Sequence, residues 1–98
     1  MAKPFGIIHR FDGATTEQYE NTLKVVHPDG GKSLPKGQTY HAAGTTDDGV
    51  VVIAIWDSES SWVQFRDETL APGLAKVENG MPGMPAETAF EVHHSMSA

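Results

Sequence analysis

The chain has no cysteine, few basic residues and no long hydrophobic run, and each absence excludes a class of protein or site. Without cysteine there is no disulfide, no thiolate-bound zinc or iron–sulfur cluster and no cysteine nucleophile. Seven scattered Lys and Arg against 13 Asp and Glu give a net charge of −6. This argues against nucleic acid or an anionic membrane as a partner, because both are bound by clustered cations. The longest apolar run, Val50 to Trp56, is far shorter than the ~20 residues of a membrane-spanning helix.

Length and composition predict one globular domain that comprises residues 1–98. A chain of 98 residues has the size of a single domain. Hydrophobic residues make up 39% of it, which is enough for a folded core. The N-terminus carries no apolar signal segment, so we expect the protein to act in the cytoplasm.

Hydrophobic periodicity predicts the element order β-α-β-β-α-β. The predicted strands, each a short apolar or alternating run, are residues 5–11, 38–45, 50–56 and 87–93. Helical periodicity predicts a first helix from Thr16 to about His27. Thr15 and Gln18 have the spacing of a capping box at its start.

Turn and capping residues bound the second half of the chain. Asp48 and Gly49 are typical of a tight hairpin in which both residues take positive φ angles. The second helix begins at Asp57 or Ser58, which are good N-cap residues. Pro72 is expected to kink or end this helix.

This order predicts a ferredoxin-like α+β sandwich, with a four-stranded antiparallel sheet and both helices on one face. The third strand is apolar on both sides, so one apolar face is left without helices. The two candidate faces are Val50, Val52, Ala54 and Trp56, or Val51, Ile53 and Ile55. Because a bare apolar face is a signal of association, we expect a homodimer whose sheets pack face to face. The alternative is that the same chain covers both faces.

The run Ile-Trp-Asp-Ser-Glu-Ser-Ser-Trp at residues 55–62, followed by Phe65-Arg66-Asp67, resembles the dimeric α/β-barrel superfamily, which includes antibiotic-biosynthesis-type monooxygenase domains. Residues 5–94 are similar to small uncharacterised actinobacterial members. The resemblance implies a dimeric α/β barrel with a small-molecule pocket between sheet and helices. The superfamily includes cofactor-free monooxygenases, haem-degrading enzymes, lactone isomerases, polyketide cyclases and ligand-binding modules, and a shared fold does not choose among them.

Departures from the superfamily's patterns disfavour two of these activities. In the haem-degrading branch a Trp stands where this chain has Phe65, and the axial haem His stands where it has Ala75. Alanine cannot ligate iron, so haem degradation is disfavoured, and we expect the protein to use no cofactor. The His-Pro-x-His element of plant polyketide cyclases is replaced by residues 71–74, Ala-Pro-Gly-Leu, which keep the proline and lack both histidines.

His9 is the candidate catalytic residue. In the haem-degrading relatives an Asn-Arg-Leu-like stretch ends the first strand, with the Asn in the substrate pocket, and the resemblance places His9-Arg10-Phe11 in that register. Near pH 7 an imidazole can act as a general base or donate a hydrogen bond to a bound oxygen. The alternative is a histidine that is only hydrogen-bonded within the core or an interface.

Tyr40 and His41 are candidate substrate-binding residues on opposite faces of the second strand, because side chains alternate. Pairing across the hairpin sets His41 opposite Ala54, and Tyr40 then shares a face with Ile53 and Ile55. One of the two residues faces the helices, where a pocket is expected, and the other faces the dimer interface. Either assignment is compatible with the pattern.

Trp56, Trp62 and Phe65 are further substrate-binding candidates, since together they form an aromatic wall. Aromatic residues at helical spacing are also typical of a core. In the Gly/Pro-rich loop that follows, Met81 and Met84 form either a lid over an apolar pocket or a solvent-exposed loop.

Charged and metal-binding candidates are few. Arg10 and Arg66 are the only guanidinium groups, and either binds a carboxylate or phenolate or forms a surface ion pair. We include Arg10 among the substrate-binding candidates. Antiparallel pairing of the first and last strands places His93 near Phe5, about 13 Å from His9. We therefore expect no metal site.

These features favour a small-molecule enzyme that acts on an aromatic or polyketide-like substrate by proton transfer. Cofactor-independent oxygenation, cyclisation and isomerisation all fit, with His9 as base or orienting donor. The alternative function is a non-catalytic dimeric module that binds a small molecule or responds to stress. Neither function involves nucleic acid or a membrane.

Overall fold

The computed structural model describes residues 3–82 and 85–97, and its elements follow the predicted order. The strands are β1 (Phe5–Asp12), β2 (Gln38–Thr46), β3 (Gly49–Trp56) and β4 (Ala86–Glu91). The helical elements are α1 (Thr16–Val26), the short turn α2 (Pro28–Gly31), α3 (Glu59–Phe65), a π-helical segment (Arg66–Leu70) and α4 (Ala71–Leu74). In the described ranges no helix has the length and hydropathy needed to cross a bilayer.

The four strands form one antiparallel sheet in the order β2-β3-β1-β4. This order, with the helices on one side, is the predicted ferredoxin-like α+β fold. The register of β4 corrects the sequence analysis, since Phe5 pairs with Glu91 and not with His93. A shift of two residues keeps every side chain on the same face. It also brings Glu87 opposite His9.

Burial settles which face of β3 the helices cover. Val50, Val52, Ala54 and Trp56 are all at most 8% exposed beneath the helices. Val51, Ile53 and Ile55 alternate onto the open face, where Ile53 is 36% exposed. We call this second side of the sheet the open face. Cross-strand pairing adds Tyr40 and Phe90 to it, and both are exposed.

Gly6 allows the aromatic ring of Phe90 to lie against the backbone of β1. The two residues are direct cross-strand partners, and a Cβ atom at position 6 would overlap the Phe90 ring. A strand glycine often marks such a close approach. The Phe90 ring therefore covers the backbone of Gly6 on the open face.

Helix α1 begins and ends as its sequence predicts. Thr15 Oγ1 accepts a hydrogen bond from the Gln18 backbone N–H, and Gln18 Oε1 accepts one from the Thr15 N–H, which completes the capping box. The helix ends at Val26, and His27 takes an extended backbone conformation before Pro28, as is usual for a residue before proline. This conformation brings the His27 side chain out of the helix end, where it is buried.

The β2–β3 hairpin is present as predicted, but its turn is closed differently. Asp48 has no positive φ angle. The side-chain oxygen of Thr46 instead accepts hydrogen bonds from the backbone N–H groups of Asp48 and Gly49. A threonine hydroxyl that bonds the backbone two or three residues ahead stabilises a turn without mirror-image backbone angles.

The second helical region begins at Ser58 and passes through Pro72. Ser58 Oγ accepts a hydrogen bond from the Ser61 N–H, which identifies Ser58 as the N-cap. The π segment ends at Leu70, and α4 carries Pro72 in its first turn and continues to Leu74, so Pro72 does not end the helical region. Gly73 brings α4 against α1, since a Cβ there would lie 2.7 Å from a methyl of Val26.

Candidate functional site

A cavity lies between the covered face of the sheet and the helices above it. It encloses about 120 Å³, close to the ~150 Å³ of an apolar cavity that binds one benzene molecule. Strands β1 to β3, helix α1, and α3 with the π segment supply most of the wall. Met81 also lines the cavity, whereas Met84 lies outside the described residues. The polar side chains of the wall include His9, Tyr19, Thr22, His27, Gln38, His41, Arg66 and Glu87.

His9 lies in the wall of this cavity and is held by Glu87. The residues are paired across β1 and β4, and His9 Nε2 is 2.8 Å from Glu87 Oε2. Only 6% of His9 is exposed, and its ring lies 5.1 Å from that of Trp62. Burial lowers the pKa of His9, against the opposing hydrogen bond and charge of Glu87. The ring is therefore neutral near pH 7, with Nε2–H donated to Glu87 and the basic lone pair on Nδ1.

His41 and Tyr19 form a second hydrogen-bonded pair at the cavity, with His27 beside them. His41 is in register with Ala54, which places it on the covered face of the sheet. Tyr19 Oη lies 2.6 Å from His41 Nε2, and the rings of His27 and His41 meet edge to face at 4.7 Å. Burial, followed by the neighbouring His27 and His9, lowers the pKa of His41 to about 4. His41 is therefore also neutral near pH 7.

Trp56, Trp62 and Phe65 stand together along the cavity. Their ring centres are 5.1 to 6.4 Å apart, which is the usual spacing of packed aromatic pairs. Trp56 is completely buried and belongs to the core, and all three residues also line the cavity. The same side chains therefore support the fold and form the apolar wall.

Tyr40 and Arg10 lie on the other side of the sheet. Tyr40 is 53% exposed on the open face, in register with Ile55. Arg10 is exposed and donates a hydrogen bond from Nη2 to Thr88 Oγ1 at 3.2 Å. The structure therefore does not bring these two candidates to the cavity with His9, because alternation directs them away from it.

Gln38 is a cavity residue that sequence reasoning missed. It is 8% exposed, although strict alternation from His41 would place it on the open face with Tyr40. A register irregularity between Gln38 and Tyr40, a β-bulge at Thr39, pairs Gln38 with Trp56 and turns it towards the helices. Bulges commonly re-aim a side chain in this way. No residue pattern in β2 signals the extra residue.

The π-helical segment lies where the second helical region borders the cavity. Arg66 and Leu70, at its two ends, both line the cavity. The Arg66 guanidinium is bound to Asp67, with Nε 3.0 Å from Oδ1. Single π turns within helices are often found at functional sites. Here two residues of the π segment belong to the wall of the cavity, and the charge of Arg66 is paired with Asp67.

Three buried polar atoms, on residues that border the cavity, have no hydrogen-bond partner among the residues that the structure describes. They are Gln38 Oε1, His41 Nδ1 and Trp56 Nε1. Such atoms are uncommon in folded proteins, and each calls for a physical explanation. In residues 3–82 and 85–97, no group of three or more His, Asp or Glu side chains is arranged to hold a metal ion.

The comparisons with known proteins support the fold. No family model and no curated protein matches the chain. The chain is similar in structure to Rv0793 from Mycobacterium tuberculosis, with a TM-score of 0.66 over 96% of this chain and 99% of that chain. The two sequences are 16% identical, and at this level the similarity shows a common fold alone.

Proposed function

We propose that the protein is a small-molecule enzyme that moves a proton on an aromatic or polyketide-like substrate, with His9 as the base. One observation carries this proposal: a buried His9 is paired with Glu87 in the wall of an apolar cavity. A carboxylate that accepts one imidazole N–H fixes the tautomer and stabilises the imidazolium ion that forms when the other nitrogen takes a proton.

The cavity suits a reaction that passes through an electron-rich anion. His9 Nδ1 takes a proton from an acidic O–H or C–H group of the substrate, and the substrate becomes the anion. The apolar wall excludes water, which would otherwise return the proton. The anion then reacts with molecular oxygen, cyclises or is reprotonated at another atom, so oxygenation, cyclisation and isomerisation share this first step.

The size of the cavity limits the part of a substrate that it encloses. A volume of about 120 Å³ holds roughly one unsubstituted aromatic ring. Trp62 and Phe65 offer stacked or edge-on contacts to such a ring, and the fully buried Trp56 packs against both of them. A larger polyketide-like substrate therefore places one ring in the cavity and the rest at its mouth.

A panel of compounds tests the function. Single-ring phenols, hydroxyketones and 1,3-diketones are incubated with the protein in air and under nitrogen, and products are identified by mass spectrometry. We expect at least one compound to be converted, and a need for air identifies oxygenation. The variant His9→Ala, purified in the same way, controls for contaminating activity and should lose the conversion, whereas His94→Ala, changed at an exposed histidine, should convert the compound as well as the wild type does. Tight binding without product throughout the panel would favour the non-catalytic binding module instead.

We further propose that the working form is a homodimer, in the cytoplasm, with the two open faces packed together. Tyr40, Ile53 and Phe90 are large apolar residues exposed on this one face, and contiguous apolar patches mark interaction sites. Strand β3 on this face carries no charged residue, so no like charges of β3 meet in the contact.

Native mass spectrometry at micromolar concentration checks the dimer. We expect twice the mass of the 98-residue chain, and a monomer for Ile53→Lys, because a lysine at the centre of the face leaves a buried, unpaired charge. Gln64→Lys, with the same charge change on an exposed position of α3, should remain dimeric. A monomeric wild-type protein, or an Ile53→Lys variant that remains dimeric, would contradict the face-to-face arrangement.

A further inference from the structure

One part of the cavity wall belongs to neither the sheet nor the helices. Met81, in the connection between α4 and β4, lines the cavity, and its side chain packs against a buried cluster that includes Phe11 and Val52. Among the described lining residues, His27, Met81 and Pro85 are the ones outside a helix or a strand. Of these three, Met81 alone has an unbranched apolar side chain with several rotatable bonds.

The backbone around Met81 crosses helix α1, and we call residues 77–82 the strap. Two of its bonds to α1 are exposed to solvent. Asn21 Nδ2 donates a hydrogen bond to the backbone oxygen of Asn79 at 3.0 Å, and Asn79 Nδ2 donates one to Glu17 Oε1 at 3.4 Å. Asn79 takes a φ angle of 50°, in the left-handed region that asparagine tolerates. Its carbonyl group and its side chain thus both bond to α1.

The third bond between the strap and α1 involves a buried residue. The Met81 backbone N–H donates to Thr22 Oγ1 at 3.0 Å, and Thr22 is 6% exposed. Gly80 permits this approach, because a Cβ atom there would lie 2.5 Å from a methyl of Val77 and 3.0 Å from Thr22 Oγ1. Thr22 therefore fixes the strap at the residue whose side chain belongs to the cavity wall.

These contacts hold the strap less firmly than the sheet and the helices are held. In the described ranges no backbone-to-backbone hydrogen bond joins the strap to a helix or a strand. Each of its three bonds to α1 involves a side chain, and water replaces the exposed ones when the strap lifts. Segments with few buried contacts open at a lower free energy than the core. Lifting the strap therefore opens the cavity at a smaller cost than parting a helix from the sheet.

We propose that Met81 is the specificity-determining residue of the cavity: it limits the enclosed part of a ligand to a single ring, and release of the strap admits that ring. The Met81 side chain closes one side of the cavity of about 120 Å³. One ring fits beneath it, whereas a fused second ring requires the space that Met81 fills. This inference rests on the proposed function and narrows its substrate class to compounds with an unfused ring.

The size of Met81 matches the size of a fused ring. A methionine side chain exceeds that of alanine by three heavy atoms, and indole exceeds benzene by three ring atoms. Deleted core side chains leave cavities because the neighbouring atoms relax only partly, and here Val50 and Val52 are held in a paired strand. Truncation of Met81 to alanine therefore frees about the room that the fused five-membered ring needs.

Fluorobenzene and 5-fluoroindole test the size limit, with binding followed by fluorine NMR at pH 7.5. The wild type should bind fluorobenzene more tightly than 5-fluoroindole. In Met81→Ala the ratio of the two dissociation constants should shift towards 5-fluoroindole by at least about tenfold, because three more ring atoms become buried. Met96→Ala makes the same change at a residue that is 85% exposed and should leave the ratio unchanged. An unchanged ratio in Met81→Ala, a wild type that prefers 5-fluoroindole, or no binding of either ligand to either protein would overturn the proposal.

The rate of ligand exchange tests the strap. Thr22→Val keeps the shape of the side chain and removes the acceptor of the Met81 N–H. Fluorobenzene should then bind and dissociate about five- to tenfold faster, because the lost bond holds the strap closed in both the free and the bound protein. For the same reason its dissociation constant should stay nearly constant. Exchange spectroscopy of the free and bound fluorine signals measures both rates.

Two further variants complete this test. Thr69→Val makes the same change at an exposed threonine and should leave both rates unchanged. Asn21→Ala removes the bond to Asn79 and suits the helix, since alanine is the best helix former, so it should accelerate exchange even if Thr22→Val does not fold. Wild-type rates in whichever of Thr22→Val and Asn21→Ala folds would overturn the role of the strap.

Conversion of the compound panel separates this inference from the proposed function. If a single-ring compound yields product, Met81→Ala should also convert its benzo-fused analogue, which the wild type leaves unchanged. If no compound yields product but the fluorinated ligands bind as described, the role of Met81 stands and the enzymatic function fails. If product forms but the affinity ratio is the same in Met81→Ala and the wild type, the function stands and the size limit fails.

Discussion

Replacing Trp56 with alanine is expected to lower the free energy of unfolding by about 3–5 kcal/mol, the usual cost of removing a large aromatic side chain from a core. Trp56 is 0% exposed and packs against Trp62 and Phe65 at ring distances of 5.9 and 5.1 Å. Because small domains are stable by only about 5–15 kcal/mol, the variant should lose much of its stability. Urea unfolding followed by circular dichroism measures the change.

Two controls relate this loss to packing at the cavity. Trp56→Phe keeps most of the ring contacts and removes the unpaired indole N–H, so it should lose less stability than the alanine variant. Added indole should raise the unfolding midpoint of Trp56→Ala, because the enlarged apolar cavity binds it in the folded state only. An alanine variant within about 0.5 kcal/mol of the wild type, the usual effect of a surface change, would show that Trp56 is not a core residue.

The fold was predictable because the local signals agree with one another. The capping box at Thr15, the N-cap at Ser58 and the alternation of β3 each indicate the element that forms there, and together they allow few topologies. The hairpin fixes the pairing of His41 with Ala54 by counting from the turn, and the structure has the same pairing. Burial of Val52 and Ala54 then shows that His41 faces the helices and Tyr40 the open face.

The cavity was less predictable, because its polar residues depend on irregular geometry. The bulge at Thr39 that directs Gln38 inward inserts one residue without a sequence signature. Glu87 was within a predicted strand, but its contact with His9 depends on a strand register that no hairpin fixes, since a long loop precedes β4. Tyr19 had the spacing of an apolar helix face, and only the structure shows its hydroxyl against His41.

His9→Ala is expected to reduce kcat/KM by a factor of about 10²–10⁴ for the substrate that the panel identifies, which is the usual contribution of a positioned general base. The kcat/KM of the wild-type protein, plotted against pH, should fall on the acid side with a midpoint below pH 6.5, because burial lowers the pKa of His9 from that value. Above this pH the ring is neutral and accepts a proton; below it the ring is already protonated and the rate falls. Rates measured from pH 4.5 to 8.5 give the profile.

Glu87→Gln separates the base from the residue that positions it. The amide still accepts the His9 N–H, but it removes the charge that opposes the effect of burial on the pKa of His9. The acid limb should therefore move to lower pH, and the rate at neutral pH should fall because the imidazolium ion loses its counter-charge. If Glu87 had only a structural role, Glu87→Gln would change the stability of the fold and leave the acid limb of the pH profile at the same pH. If His9→Ala kept full activity and unfolded like the wild type, His9 would have no part in the mechanism. Among the described residues, His41 would then be the other cavity histidine that is hydrogen-bonded to a side chain.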